Sequence, residues 1–370
     1  MNARGILILP ILLAAGTVLC QVTSAPARSE QRPAAVLDGY QGGWTAPDAE
    51  RSLDQQKYRD DNAVGRSQLD QYRQLRNEAL VHGDGDIGAT DKAVLQQVAE
   101  SLNSSAPGSF EANMATYYQE FPSAAAFMHL ELAAAQGADR SEVIAPQLVN
   151  AARKDQKTEL NRWARAMKER GGIAPGLYRL AQDILLSVDK DGLFIAAGEM
   201  DAYPLWVEQY ANAKRPDVLV MDQRLLEDQA YRARMWERAN AKGPVPSNEA
   251  EFLQRLPAST ARPVLLSLAL GQKVAGEQRS RLYVTGLAMR LSDKPIENLP
   301  LLEANWGRMN KALDTGPLAR NYLVPGAILL KHYRTKGDEK AASELEHELR
   351  GMATRTGSMR LMLETGTFTY

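Results

Sequence analysis

The sequence predicts an α-rich α/β protein in which a helical array flanks a small, mainly parallel sheet. Apolar residues recur at three- and four-residue spacing through most of the chain, in short segments separated by Gly or Pro. Near the middle this pattern gives way to two short apolar runs, Gly192–Ala197 and Asp217–Met221. One helical segment lies between them, which is the spacing of a βαβ unit with parallel strands.

Residues 1–27 have the layout of a secretory signal peptide. Arg4 supplies the positive start, Gly5 to Leu19 form an apolar run interrupted by Pro10, and Ala25-Pro26-Ala27 offers a small-x-small cleavage pattern. The apolar run is about 15 residues, short of the roughly 20 that a spanning helix needs. Cleavage after Ala27, leaving Arg28 first, is therefore the expectation. A lipoprotein signal would use Cys20, but Leu19 stands where that processing wants a small residue. Cys20 is the single cysteine. Its loss with the signal would exclude thiol nucleophiles, thiolate metal sites and disulfide chemistry. Export to the periplasm or cell surface follows as the expected location, with no integral membrane segment in the mature chain. The 44 Lys+Arg and 45 Asp+Glu are interspersed, which gives no electrostatic footprint for nucleic acid.

Residues 28–48, rich in Pro, Ala, Gly, Gln and Ser, are expected to be a flexible linker. Residues 49–90 form a polar helical arm with a thin apolar stripe. At its end, Asp84, Asp86 and Asp91 raise the question of a calcium loop. Counting from Asp84, the sixth and twelfth positions hold Ala89 and Leu95 instead of Gly and Glu. A polar turn with Thr90 or Asp91 capping the next helix is the better reading.

Residues 91–188 are expected to form a tetratricopeptide-like helical region, with helices over Lys92–Leu102, Ala124–Gln136, Ser141–Arg153, Gln156–Arg170 and Leu177–Val188. Residues 189–297 form the small α/β segment. Its helices are expected over Ala202–Ala213 and Leu226–Asn240, with further strands over Pro263–Leu270 and Leu282–Leu291, the last broken by Gly286. Residues 298–370 return to helices, including Ile328–Thr335 and Glu339–Gly351 around a turn at Gly337-Asp338.

One constellation can carry chemistry. Gly198-Glu199-Met200-Asp201 falls where the first strand ends, at the carboxyl edge where parallel sheets bind ligands. Glu199 and Asp201, two residues apart, are similar to the acidic D-x-D element with which many glycosyltransferases hold a metal and a sugar nucleotide. Oxygen ligands of this kind suit a divalent cation such as magnesium or manganese. Tyr203 and Trp206 can stack on a sugar ring, and Gln209 and Asp222 can add polar contacts. These six are the candidate ligand-binding residues. The competing reading makes Asp201 a helix cap with Pro204 in the first turn, and packs Trp206 and Tyr210 on the sheet. The four histidines are scattered, and the sequence has no nucleophile elbow, Walker loop or dinucleotide fingerprint.

The stretch from Leu185 to Leu226 resembles the soluble C-terminal part of a family of bacterial membrane proteins labelled protein O-mannosyltransferase-like. The family pattern is a strand, G-D-x-D-T-(Y/F)-P-L-W, a helix, R-x-D-V and a second strand. Gly198, Asp201, Tyr203, Pro204, Leu205, Trp206, Gln209, Arg215, Asp217 and Val218 match it, while Glu199 replaces an Asp and Ala202 a Thr. Fainter likeness continues through Arg262-Pro-Val-Leu, Gly286-Leu-Ala-Met-Arg290 and Tyr333 to Ala342. The family's multi-pass membrane portion has no counterpart here. The resemblance therefore implies a shared soluble module at the cell envelope rather than a shared reaction.

Two functions follow as expectations. One is an exported, non-catalytic binding or scaffold module of the bacterial envelope that takes a protein, peptide or glycan and needs no cofactor. The other is an envelope glycan-acting enzyme, glycosyltransferase-like, with Glu199 and Asp201 holding a divalent cation or dividing acid and base roles.

Overall fold

The computed structural model describes residues 40–41, 44–45, 63–83, 87–270 and 278–368. The expected signal peptide 1–27, most of the linker 28–48, and residues 49–62 and 84–86 of the polar arm, Asp84 and Asp86 among them, lie outside them. Tyr40–Gln41 and Trp44–Thr45 pair as a two-residue antiparallel ladder.

Among the described residues seven α-helices precede the five-stranded sheet: α1 Ala63–His82, α2 Ala89–Ser105, α3 Phe110–Glu120, α4 Ala124–Gln136, α5 Ile144–Lys154, α6 Lys157–Arg170 and α7 Pro175–Ser187. Consecutive helices pack in pairs, α1 on α2, α3 on α4 and α5 on α6, as in a helical-repeat array. Ser109 and Ser123 cap α3 and α4 by accepting from the amides of Ala112 and Ala126. The expected cap at Thr90 or Asp91 is absent. α2 begins earlier, from Gly88, and Asp91 lies in its first turn.

The α/β segment follows as β1 Leu193–Ala196, α8 Glu199–Tyr210, β2 Leu219–Asp222, α9 Gln229–Arg238, α10 Glu249–Ser259, β3 Val264–Ser267, β4 Leu282–Val284 and β5 Ala288–Leu291. The strand order is β2-β1-β3-β5-β4. β1 runs parallel to β2 and β3, while β5 pairs antiparallel with β3 and β4 pairs antiparallel with β5. The sheet is thus mixed: a three-stranded parallel unit extended by a hairpin turning at Gly286. Every residue of β1, β2 and β3 is buried, which is why these strands read as unbroken apolar runs. The chain leaves β1 for β2 and returns past β1 to reach β3. This reversal places a topological switch point between β1 and β3.

α11 Leu299–Trp306, α12 Leu323–Lys336, α13 Glu339–Arg355 and α14 Met359–Glu364 complete the chain. One hydrophobic core runs from Leu69 to Phe368 and joins array, sheet and C-terminal helices. A small satellite core, Tyr72, Leu95, Ala99, Leu102 and Ala115, holds α1 and α2 against α3. Among the described residues no helix is long and apolar enough to cross a membrane.

Buried polar groups fix how these parts meet. Asp183 on α7, 1% exposed, accepts from the amides of Asn310 and Lys311, the side-chain amide of Asn310 and the hydroxyl of Tyr322. Arg215 donates to the carbonyls of Leu185, Val188 and Asp189 and pairs with Asp217. Arg262 donates to the carbonyls of Asp191, Gly192, Asp217 and Arg238. These two guanidiniums satisfy the loop carbonyls at the amino edge of the sheet, where unpaired backbone groups would be costly.

Gly286 is the tightest of the hairpin's requirements. It has φ +144°, and a Cβ there would lie 2.3 Å from Ser187 Oγ. That hydroxyl also accepts from the Leu287 amide at 2.9 Å. Gly286→Ala is predicted to lower unfolding stability by about 2–4 kcal/mol, from backbone strain plus overpacking. Urea denaturation followed by circular dichroism measures it.

Candidate functional site

The carboxyl edge of the parallel unit is assembled from three directions. β1 delivers Gly198 and the start of α8, β2 delivers Asp222, and α1 of the polar arm reaches across from a distant part of the sequence. Asp201 sits in the first turn of α8, which begins earlier than expected. Its carboxylate reaches back to accept from the amides of Ala197 and Gly198, both at 2.9 Å. It caps the helix from inside rather than from the cap position, and Ser267 at the end of β3 also bonds to it. Burial pushes this carboxyl up, opposed by those hydrogen bonds.

Glu199 is the hub. Arg76 of α1 donates to both of its oxygens, with Nη1 at 3.2 Å from Oε2. Arg224 Nη1 donates to Oε1 at 2.9 Å. Arg224 also grips Asp222, with Nε at 3.0 Å and Nη2 at 2.5 Å from its two oxygens. Asp222 is fully buried and accepts from the Arg224 amide as well. The cluster holds two carboxylates and two guanidiniums, so its charges balance. Rings line it: Arg76 lies 4.8 Å from the Tyr118 ring centre, and Arg224 lies 5.1 Å from that of Phe121 and 5.7 Å from that of Tyr203. Burial pushes up the hydroxyls of Tyr117, Tyr118 and Tyr203. For Glu199 burial also acts upward, but Arg76 and Arg224 outweigh it and bring the carboxyl down to about 2.

Of the six residues expected from the sequence, the structure joins Glu199 to Asp222 through Arg224, with Tyr203 alongside and Asp201 adjacent. Trp206, 2% exposed, stacks behind Tyr203 at 6.0 Å. Gln209 stands apart, about 15 Å along the helix axis from Glu199. Its amide donates to the carbonyls of Arg215 and Val218. Five of the six are buried, and Glu199 is the one at intermediate exposure. Arg76, Arg224, Tyr118 and Ser267 did not emerge from the sequence. A signal for Arg76 existed: Leu69, Tyr72, Arg76 and Ala79 recur at helical spacing, so an arginine occupies a core position of the arm. Among the described residues no three His, Cys, Asp or Glu side chains gather as a metal-ligating group. The oxygens of Glu199 and Asp222 that would meet a cation accept from guanidiniums instead.

Fold and edge together define a class: a helical-repeat module carrying a small mixed sheet whose carboxyl edge is closed by ion pairs. Residues 177–255 match a family model described as TMEM260-associated domain 2. That match runs from α7 into α10 and contains Glu199, Asp222 and Arg224, but it covers a minor part of the chain and is a distant, coarse link. No curated protein and no solved structure matches the chain.

Removing the charge of Glu199 leaves Arg76 buried without its partner. Glu199→Gln is predicted to cost about 3 kcal/mol. Because the folded-state value lies below the unfolded one, this stabilisation is complete above pH ~4.5. It is lost as pH falls towards about 2. Stability measured against pH should therefore decline across that window in the wild type, and less steeply in the variant.

Proposed function

We propose that the protein is an exported, non-catalytic binding or scaffold module of the bacterial cell envelope, binding a protein, peptide or glycan in the periplasm or at the cell surface. The observation that carries this reading is the state of the sheet's carboxyl edge. Glu199, Asp201 and Asp222 each direct their oxygens to internal donors. A carboxylate that works as acid, base or metal ligand needs an oxygen within reach of its substrate. The paired helices add support, since stacked helical repeats create extended binding surfaces. α4 adds an outer face carrying Met128 and Leu132, 64% and 53% exposed.

The resemblance to envelope membrane proteins and the family match over 177–255 agree with a module that works beside a membrane partner. Among the six candidate residues, Glu199 alone keeps intermediate exposure, which makes it the residue of this set through which we expect a ligand to be sensed.

Two measurements test the proposal. N-terminal sequencing of the protein from the periplasmic or surface fraction should begin at Arg28. A chain that still begins at Met1 in the cytoplasm contradicts export. Calorimetric titration against envelope peptides and glycans should show saturable binding with the ligand recovered intact. Turnover of a sugar nucleotide with magnesium or manganese, abolished in a folded Asp201→Asn variant, would replace this reading with a glycan-acting enzyme.

A further inference from the structure

The place where a parallel sheet ordinarily meets its ligand is filled here by a side chain of the protein itself. Arg76 is 9% exposed. Its planar group makes a two-pronged contact with Glu199 and lies 4.8 Å from the Tyr118 ring centre. A fork of N–H donors facing a carboxylate beside an aromatic ring is the geometry that distinguishes guanidinium from ammonium.

Charge reinforces the choice. Glu199 and Asp222 are paired with Arg76 and Arg224, so without Arg76 this ion-pair chain lacks one positive charge. Among its clustered buried residues, the helix that brings Arg76 has a single tie to the main core. Of its buried apolar residues, Leu69 belongs to that core, while Tyr72 belongs to the satellite shared with α2 and α3.

We propose that Glu199 and Tyr118 form a guanidinium receptor at the sheet's carboxyl edge. Arg76 occupies it in cis, and an arginine side chain of a protein partner takes its place when α1 is lifted. The inference rests on the binding-module reading and names the partner chemistry of its edge. α1 thus acts as an internal competitor: the partner's affinity is reduced by the fraction of molecules in which Arg76 holds the receptor.

The test uses the full chain and two probes. In Arg76→Ala, methylguanidinium should restore several degrees of the lost melting temperature, methylammonium should restore less, and the double variant with Glu199→Gln should respond to neither. If Arg76→Ala does not fold, Arg76→Lys, which keeps the charge and loses the fork, is a weaker internal competitor, and the arginine pentapeptide below should act on it at lower concentration than on the wild type. In the wild type, a pentapeptide with one central arginine among glycines should speed deuterium exchange across residues 63–82 at least twofold. Its lysine counterpart should not. A guanidinium response equal with and without Glu199, or no response, overturns the receptor. Peptide binding without faster exchange overturns displacement of α1. Binding of a glycan or peptide that is indifferent to Glu199→Gln overturns the receptor while leaving the binding-module reading in place.

Discussion

A carboxylate placed at the end of a buried parallel strand must either stay in water or find compensation inside the protein. Glu199 takes the second course. Removing a carboxylate from water costs several kcal/mol, and the attraction of a counter-charge repays this only with good geometry and full hydrogen bonding. Arg76 and Arg224 supply both, and Arg224 carries the balance on to Asp222. Arg76 comes from 123 residues away in the chain. The compensation therefore depends on α1 lying across the sheet edge, and the position of α1 depends on the compensation. The rings of Tyr118, Phe121 and Tyr203 bring α3 and its following turn into the same arrangement.

The rest of the sheet repeats the logic with other partners. Arg215 and Arg262 close the amino edge by donating to carbonyls, and Asp183 ties α7 to the C-terminal region through four hydrogen bonds. The matches in the R-x-D-V segment fall on this structural work: Arg215 caps the end of α7, and Asp217 orients it. At the carboxyl edge the matches at Gly198 and Asp201 likewise shape the turn from β1 into α8. The charged hub beside them joins α1, α8 and the end of β2 through its ion pairs.

Much of the fold was legible because burial was periodic or complete. The βαβ unit was visible since β1 and β2 are buried throughout, and α4 to α7 showed their stripes and stops. α3 was missed because Phe110 to Ala115 are all buried, and helical turns enclosed on every side have no stripe to read. Leu282–Leu291 was expected as one strand broken by Gly286. The glycine is instead the turn between two strands, since its positive φ and close approach to Ser187 favour a corner there. The candidate site was legible in its acidic members and not in its basic ones. Position at a strand end announces Glu199 and Asp222, whereas an arginine buried in a polar helix resembles a solvated one until its partner is known.

The central claim is that Glu199 and Arg76 act as one unit that closes the sheet edge. A double-mutant cycle on unfolding free energy, with Arg76→Ala, Glu199→Gln and both together, tests it most directly. A coupling energy of about 2–3 kcal/mol is expected, with the double variant more stable than the sum of the single losses implies. Losses that add to within about 0.5 kcal/mol would mean that the two residues act independently, and would contradict it.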